Sequence, residues 1–190
     1  MPNWCDTEVK ITFGNETDYK NFLTQADATD NIDHVYSDKY EMFDKFITTP
    51  ADLLAGEGWW QWRIDNWGTK WNPSVRDFER LDTENKVVLS LDTAWAPPIE
   101  FFDKFSQLYP TANIQIIYYE PGMNFCGRAV IQNGKVSDRY INDISPDMQV
   151  AAGAVLDENG NIDWDHSDMC MWDLIADEEK FNNYYEMESA

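Results

Sequence analysis

The sequence predicts an α+β protein: a ferredoxin-like βαββαβ antiparallel sandwich with an extra β-hairpin and an acidic C-terminal appendage. Three observations predict this fold class. Residues 5–13 alternate between apolar or small side chains and polar ones, which is the period of a half-buried strand. Strand and helix patterns then follow in the order β-α-β-β-α-β along residues 1–134. After residue 134 the composition becomes strongly acidic.

The first helix follows directly on the first strand. Gly14-Asn15 ends that strand, and asparagine is a residue type that accepts hydrogen bonds from the first turn of a helix. The apolar side chains that follow have the spacing i, i+3, i+4, i+7, which places them on one helix face: Tyr19, Phe22, Leu23 and Ala26. We therefore predict a helix that begins after Asn15 and packs on the sheet through this face.

An irregular insertion is predicted at about residues 27–66, because this stretch as a whole fits neither the strand period nor the helix period. Within it, Thr49-Pro50 predicts the start of a short helix with Thr49 as its cap. Gly56 and Gly58 are expected to end that helix.

In the second half of the predicted β-α-β-β-α-β order, apolar and polar side chains alternate again from Thr69, and a strong strand pattern follows at 86–95. A second amphipathic helix is predicted between Pro97-Pro98 and Pro110, since proline is tolerated at the start of a helix but not inside it. Three further strands are predicted, the last two joined by a hairpin turn at Asn133-Gly134: residues 113–119, 125–132 and 135–141.

Two regions are predicted from this organisation: a ferredoxin-like domain at 1–134 and an acidic extension at 135–190 that packs on it. From Lys135 to the end the chain has fourteen acidic and three basic residues. Apolar side chains such as Trp172, Leu174 and Ile175 persist there, which favours a packed appendage over a disordered tail.

The net charge of −21 is the strongest functional constraint. Such a charge argues against direct binding of nucleic acid or an anionic membrane, and favours a basic partner or simple solubility. The start of the chain does not fit a signal peptide, and no apolar run is long enough for a membrane span, so the cytoplasm is the expected location.

Five of the nine tryptophans lie within residues 59–71, "WWQWRIDNWGTKW". Either they form a hydrophobic keystone of the fold, or they form a face that stacks on a ligand or partner; the keystone is the favoured interpretation. In a ferredoxin-like sheet the start of the second strand and the end of the third lie together. We therefore expect Trp67, Trp71 and Trp95 to meet around Lys70, which either binds an anion or contacts the rings by cation–π interaction.

Signatures of catalysis and metal binding are absent from the sequence, so no catalytic residue, cofactor or metal site is predicted. Residues 157–168 superficially resemble a calcium loop, but Gly160 is misplaced for one, and Asn159-Gly160 fits a hairpin turn better. Glu120 and Asp92 are single carboxylates that we place at opposite ends of their strands.

Four short blocks resemble a known family: "MPNWC" at the start, "WGTKW" (67–71), "TAWAPP" (93–98) and "YYEPGMNFCG" (118–127). In this order they are similar to the YubB-like (Api-type) family of small phage and plasmid proteins. The resemblance implies a ferredoxin-like domain over residues 1–134, an accessory role on a mobile genetic element, and no specific catalysis. We expect the first and last blocks to be neighbours, at the end of the sheet opposite to the other two.

The expected function is therefore a non-enzymatic phage or plasmid protein that inhibits a basic host nuclease, restriction enzyme or CRISPR component. The appendage is the expected partner-binding surface, because its negative charge is the densest. Its candidate residues are Asp157, Glu158, Asp163, Asp165, Asp168, Asp177, Glu178 and Glu179. The alternative is a small-ligand protein or cryptic hydrolase at the tryptophan-lined end, with Trp67, Lys70, Trp71 and Trp95 as its site.

Overall fold

The structure, a computed structural model, describes residues 3–29, 33–37, 39–163, 165–167 and 169–188. A single antiparallel sheet of six strands organises this part of the chain, in the spatial order β2-β3-β1-β4-β5-β6. The strands are β1 (Trp4–Thr12), β2 (Ser74–Leu81), β3 (Lys86–Ala94), β4 (Asn113–Glu120), β5 (Phe125–Gln132) and β6 (Lys135–Ile141). The first four strands have the ferredoxin-like order, and β5 and β6 form the predicted hairpin beside β4.

Helices α1 (Glu16–Gln25) and α5 (Ile99–Leu108) cover one face of the sheet. Helix α1 begins as predicted, with the Asn15 side chain accepting from the Asp18 backbone N–H at 2.8 Å. All four residues of its predicted apolar face are buried, and they pack with three phenylalanines of α5 and with the inward side chains of β1, β3 and β4. This cluster is the main core of the protein.

The insertion is more regular than predicted. It contains a 3-10 turn (Asp33–Tyr36) and three helices: α2 (Met42–Phe46), α3 (Ala51–Leu54) and α4 (Trp59–Trp67). The short helix predicted after Pro50 is present, but Thr49 does not cap it: Thr49 is buried and its hydroxyl accepts a bond from Arg63 Nε at 3.0 Å. Helix α4 was not predicted and carries four of the clustered tryptophans.

The appendage packs on the second face of the sheet, over β4, β5 and β6. It contains α6 (Pro146–Ala151), α7 (Met171–Ala176) and α8 (Glu178–Glu188). A second apolar cluster joins Ile117, Cys126 and Ile141 of the sheet to Leu174 and Phe181 of these helices. The same face remains uncovered over much of β1, β2 and β3, where charged side chains point outward.

Candidate functional site

All four sequence blocks meet at one end of the sheet, and the expectation that they divide between two ends is wrong. Trp4 pairs with Ala94 in the β1–β3 register, and the Trp95 backbone N–H donates to Asn3 at 3.0 Å. The blocks around residues 69 and 94 join where the Thr69 hydroxyl donates to the Ala94 carbonyl at 3.0 Å. Because β1 runs antiparallel to both β3 and β4, its start lies beside the ends of both strands.

The same geometry corrects the placement of Asp92 and Glu120, which lie at one end of the sheet rather than at opposite ends. Asp6 pairs with Asp92 on one side and with Tyr119 on the other. Glu120 is buried, and its carboxylate accepts from the backbone N–H groups of Gly122 (2.9 Å) and Met123. It therefore holds the turn after β4, whereas Asp92 points to the uncovered face.

Trp67 is part of the core, as the keystone interpretation of the tryptophan cluster expects. Its side chain is fully buried, its ring packs edge-on against Phe43 and Trp62, and its Nε1 donates to the Ile47 carbonyl at 3.0 Å. Gly68 ends the helix in the left-handed conformation with φ 75°, which favours glycine. Trp67 therefore belongs to the core, and cannot form an exposed ligand site with Trp71 and Trp95.

The two cations near these rings are engaged with aromatic faces. Lys70 Nζ lies 5.7 Å from the ring centroid of Trp59 and 5.0 Å from that of Trp71. Arg63 lies 5.3 Å from the Trp59 centroid and 4.5 Å from the Trp67 centroid, and it pairs with Asp44 at 3.0 Å. Of the two interpretations of Lys70, the structure shows the cation–π contact.

Three other tryptophans at this end are exposed: Trp4 by 47%, Trp71 by 36% and Trp95 by 47%. Trp4 and Trp71 line a cavity of 290 Å³ whose wall also includes Tyr40 and Glu41. Lys70 and Trp95 do not line it. Exposed tryptophans that gather at one edge are typical of an interaction surface, because indole rings supply much of the energy at protein interfaces.

Trp95 adopts the left-handed conformation, with φ 73°. A side chain with a Cβ is strained there by about 1–2 kcal/mol, and the strain persists because neighbouring hydrogen bonds impose it. The Thr93 hydroxyl donates to the Ala96 carbonyl at 2.8 Å, and the Trp95 N–H is fixed to Asn3. A strained and exposed tryptophan is more readily explained by a role in binding than by packing.

We predict that Trp95→Gly is more stable than Trp95→Ala by about 1 kcal/mol. Both variants lose the indole, but only glycine adopts positive φ without steric strain. Trp4 is the matched control, because it is equally exposed but lies in extended backbone. There the order should reverse, with Trp4→Ala more stable than Trp4→Gly by about 0.5–1 kcal/mol. Urea denaturation of the four variants tests this; the same order at both positions would contradict strain at residue 95.

Next to these rings lies the uncovered part of the sheet, which we call the open sheet face. Its outward residues are Trp4, Asp6, Glu8, Lys10 and Thr12 of β1, Ser74, Arg76, Asp77, Glu79 and Leu81 of β2, and Lys86, Val88, Ser90 and Asp92 of β3. Arg76, at a β-bulge, pairs with Asp6 and with Asp92, the latter at 3.0 Å. Trp172 of α7 donates its Nε1 proton to Asp6 at 3.0 Å. Burial raises the pKa of Asp92.

Negative charge dominates the open sheet face. Its five carboxylates outnumber its three cations, and all three cations are already paired: Arg76 as above, Lys10 with Glu8 at 2.8 Å, and Lys86 with Glu84 at 3.7 Å. Asp77 and Glu79 are exposed, and neither has a basic partner among the residues that the structure describes. The face therefore presents carboxylates on a rigid sheet, a property that the sequence alone did not indicate.

The predicted partner-binding residues of the appendage fall into two groups, and the first group holds the appendage together. Asp157 accepts from the backbone N–H groups of Asn159 and Asn161, each at 2.8 Å, and these bonds lower its pKa. This is the predicted Asn159-Gly160 turn, which is closed by a bridge between Leu156 and Ile162. Asp163 accepts from the Asp165 backbone N–H at 3.1 Å and contacts His166.

Asp177 and Glu178 also have structural contacts. Asp177 accepts from the Lys180 backbone N–H at 3.1 Å, which lowers its pKa and stabilises the first turn of α8. Glu178 pairs with Arg139 at 2.8 Å and with Arg128 at 3.7 Å, and the bond from Arg139 lowers its pKa. Through Glu178 the appendage is tied to the sheet.

Glu158, Asp165 and Glu179 form the second group. All three are exposed and have no basic partner within the described part of the chain. Asp168 lies outside the described residues. The predicted site thus remains a set of three free carboxylates, whose binding role stays a prediction.

The described residues contain no group of three or more histidine, cysteine or acidic side chains that is arranged to hold a metal ion. No helix among them has the length and apolar character needed to cross a membrane. Cys5 and Cys126 are buried, which raises the pKa of each thiol to about 12.

The fold defines a ferredoxin-like α+β protein. The second face of its sheet is charged, has tryptophans at one edge and is partly covered by an acidic appendage. The chain belongs to the family described as the ferredoxin-like domain in Api92-like protein, whose family model matches residues 66–188. This range includes the appendage, so the expectation that the resemblance ends near residue 134 is wrong.

A solved structure, the crystal structure of a protein api92 from Yersinia pseudotuberculosis, is 21% identical and matches with a TM-score of 0.36. The match covers 44% of this chain and 29% of that chain. No curated protein matches the sequence.

Proposed function

We propose that this protein is a non-enzymatic accessory protein of a phage or plasmid, which acts in the host cytoplasm. It binds and inhibits a basic host protein that handles nucleic acid, such as a restriction enzyme or CRISPR component. The observation that carries this proposal is that the protein has a net charge of −21 and that all five of its arginines are paired with its own carboxylates.

The pairing of the arginines leaves a surface that attracts cations. Nine of the 14 basic side chains contact carboxylates, and Lys45 and Lys70 lie over aromatic rings. A polyanion would have to displace these internal partners before it could bind. A basic partner meets no such obstacle, because its own cations replace the counter-ions of free carboxylates.

A nucleic-acid-binding channel is the natural basic target. Duplex DNA presents about one charge per 1.7 Å of its axis, and a channel shaped for it is lined with lysine and arginine. Carboxylates held on a sheet are already ordered, so little conformational entropy is lost when a partner binds them. Two surfaces of this protein offer such carboxylates: the open sheet face and the free carboxylates of the appendage.

The test is capture of partners from a nuclease-treated lysate of a host that carries active restriction and CRISPR systems. We expect the captured protein to bind duplex DNA or RNA by itself, and to be released when that nucleic acid is added. Raising salt from 50 to 300 mM should weaken the purified complex steeply, since exposed charges are screened. A captured protein with no nucleic-acid activity, or an affinity unchanged by salt, would contradict the proposal.

A pair of matched variants assigns the surface. Asp77→Asn with Glu79→Gln neutralises two free carboxylates of the open sheet face, and Glu158→Gln with Asp165→Asn neutralises two of the appendage. Neither pair removes a side-chain hydrogen bond within the part of the chain that the structure describes, unlike changes at Asp157 or Asp163. We expect the first pair to weaken the complex roughly tenfold, as two exposed ion pairs would. An effect confined to the second pair would place the interface on the appendage.

A further inference from the structure

We infer that the cavity between Trp4 and Trp71 is an anchor pocket that takes an arginine side chain of the basic partner. This inference rests on the proposed function and assigns the residues that would recognise the partner. The cavity has a volume of 290 Å³ and is lined by Trp4, Tyr40, Glu41, Arg63, Trp71 and Asn72, among others.

The size of the cavity suits one long side chain. Sites for drug-sized ligands begin at about 300 Å³ and extend to about 1,000 Å³, so this cavity lies at the lower limit of that range. Two of its walls are indole rings that remain 47% and 36% exposed at Trp4 and Trp71. An arginine that entered would bury its aliphatic stem and its flat guanidinium against these rings.

The charge of the cavity favours a cation. Its own arginine, Arg63, is neutralised by Asp44 at 3.0 Å and is only 12% exposed. Asn72 is also occupied, since its Oδ1 accepts from the Phe43 backbone N–H at 2.8 Å. Glu41 is exposed and has no basic partner among the described residues. One carboxylate beside two indoles is therefore left to meet an incoming side chain.

The indoles at this end already bind cations of the chain itself. Arg63 lies over Trp59 and Trp67, and Lys70 lies over Trp71 from a position outside the cavity wall. A guanidinium suits the remaining surface better than an ammonium does, because it is planar, less strongly hydrated and able to bind a carboxylate through two parallel hydrogen bonds.

The cavity is continuous with the open sheet face. Trp4 lies two residues before Asp6 on the same side of β1, and Ser74 of the cavity wall pairs with Asp92. A basic segment anchored by one arginine would therefore extend along β2 from Ser74 and place its next cations over the free carboxylates of Asp77 and Glu79. This continuity explains why a cavity walled by indole rings would lie at the edge of an acidic surface.

The test uses two acetylated and amidated heptapeptides of equal charge, one alternating glycine with arginine and the other glycine with lysine. Isothermal titration calorimetry at low salt should show that the arginine peptide binds about fivefold more tightly. Trp4→Ala and Trp71→Ala should each abolish that preference. Glu41→Gln should weaken the arginine peptide about threefold, as loss of one exposed ion pair does.

Trp60→Ala is the matched control, because Trp60 is 44% exposed but lies outside the cavity wall. It should keep the wild-type preference, and circular dichroism should show that every variant is folded; Trp71→Phe replaces Trp71→Ala if the latter unfolds. Equal affinity of the wild type for both peptides, or unchanged preference in Trp4→Ala and Trp71→Ala, overturns the anchor pocket but leaves the basic partner. Failure of the wild type to bind either peptide overturns both.

Discussion

Replacing Trp67 with alanine is expected to lower the free energy of unfolding by about 3–5 kcal/mol, the range for removal of a large aromatic side chain from a core. The indole is fully buried between Phe43 and Trp62, so its loss leaves a cavity that the packed rings around it cannot fill. It also leaves the Ile47 carbonyl without its donor, since the 3.0 Å bond from Nε1 is lost. Urea denaturation followed by far-ultraviolet circular dichroism measures the change.

Trp60→Ala is the control on the same helix, because Trp60 is 44% exposed. It should change stability by less than about 1 kcal/mol, as most surface substitutions do. Trp67→Phe should fall between the two, because it keeps most of the volume but loses the donor. Equal destabilisation by Trp67→Ala and Trp60→Ala would show that the tryptophan cluster acts as a surface and not as a keystone.

The parts of the fold that local sequence determines were predicted correctly. Strand β3 and helix α5 each display their own period over nine or ten residues, and Asn133-Gly134 fits a two-residue hairpin turn. In the structure both turn residues have positive φ, 53° and 68°, which is what this turn requires. Such features depend on neighbours in sequence and need no knowledge of the rest of the chain.

Helix α4 escaped prediction because its pattern is not that of an amphipathic helix. Trp62 packs against the main core, whereas Trp60 and Ile64 on the opposite side are 44% and 38% exposed, so apolar residues occur on both sides of the helix. Gly58 precedes it without a side-chain cap. A sequence pattern identifies a helix by its one apolar face, and here the exposed apolar residues conceal that face.

The candidate site was only partly predictable, because long-range contacts decide which charges remain free. Glu178 looks like any other acidic residue in the sequence, yet it pairs with Arg128 and Arg139 on strands β5 and β6 of the sheet. Asp6 is reached by Trp172 from the far end of the chain. The meeting of all four blocks at one end of the sheet is different in kind, because it follows from the directions of β1, β3 and β4, which the predicted strand order already contains.

Replacing Gly127 with alanine is the second substitution from which we expect a large effect, about 3 kcal/mol of destabilisation, at the upper end of the usual cost of overpacking. Gly127 lies on β5 opposite Tyr118, whose ring crosses directly over it. An added Cβ would overlap the Tyr118 hydroxyl oxygen and lie 2.8 Å from the Arg139 carbonyl oxygen. The ring cannot withdraw easily, because it is fully buried and its hydroxyl donates to Asp138 at 2.8 Å.

Two comparisons separate this clash from the general cost of losing a glycine. At Gly56 an added Cβ would make only ordinary contacts, the nearest at 3.8 Å, so Gly56→Ala should change stability by less than about 1 kcal/mol. Tyr118→Ala is destabilising by itself, but it removes the ring that the new Cβ would meet. In the double variant Gly127→Ala should therefore cost much less than it does alone, a coupling that a double-mutant cycle measures directly. If the two substitutions were additive, the clash would lie with the backbone of β6, and Gly127 would be required by the approach of the strands and not by the tyrosine.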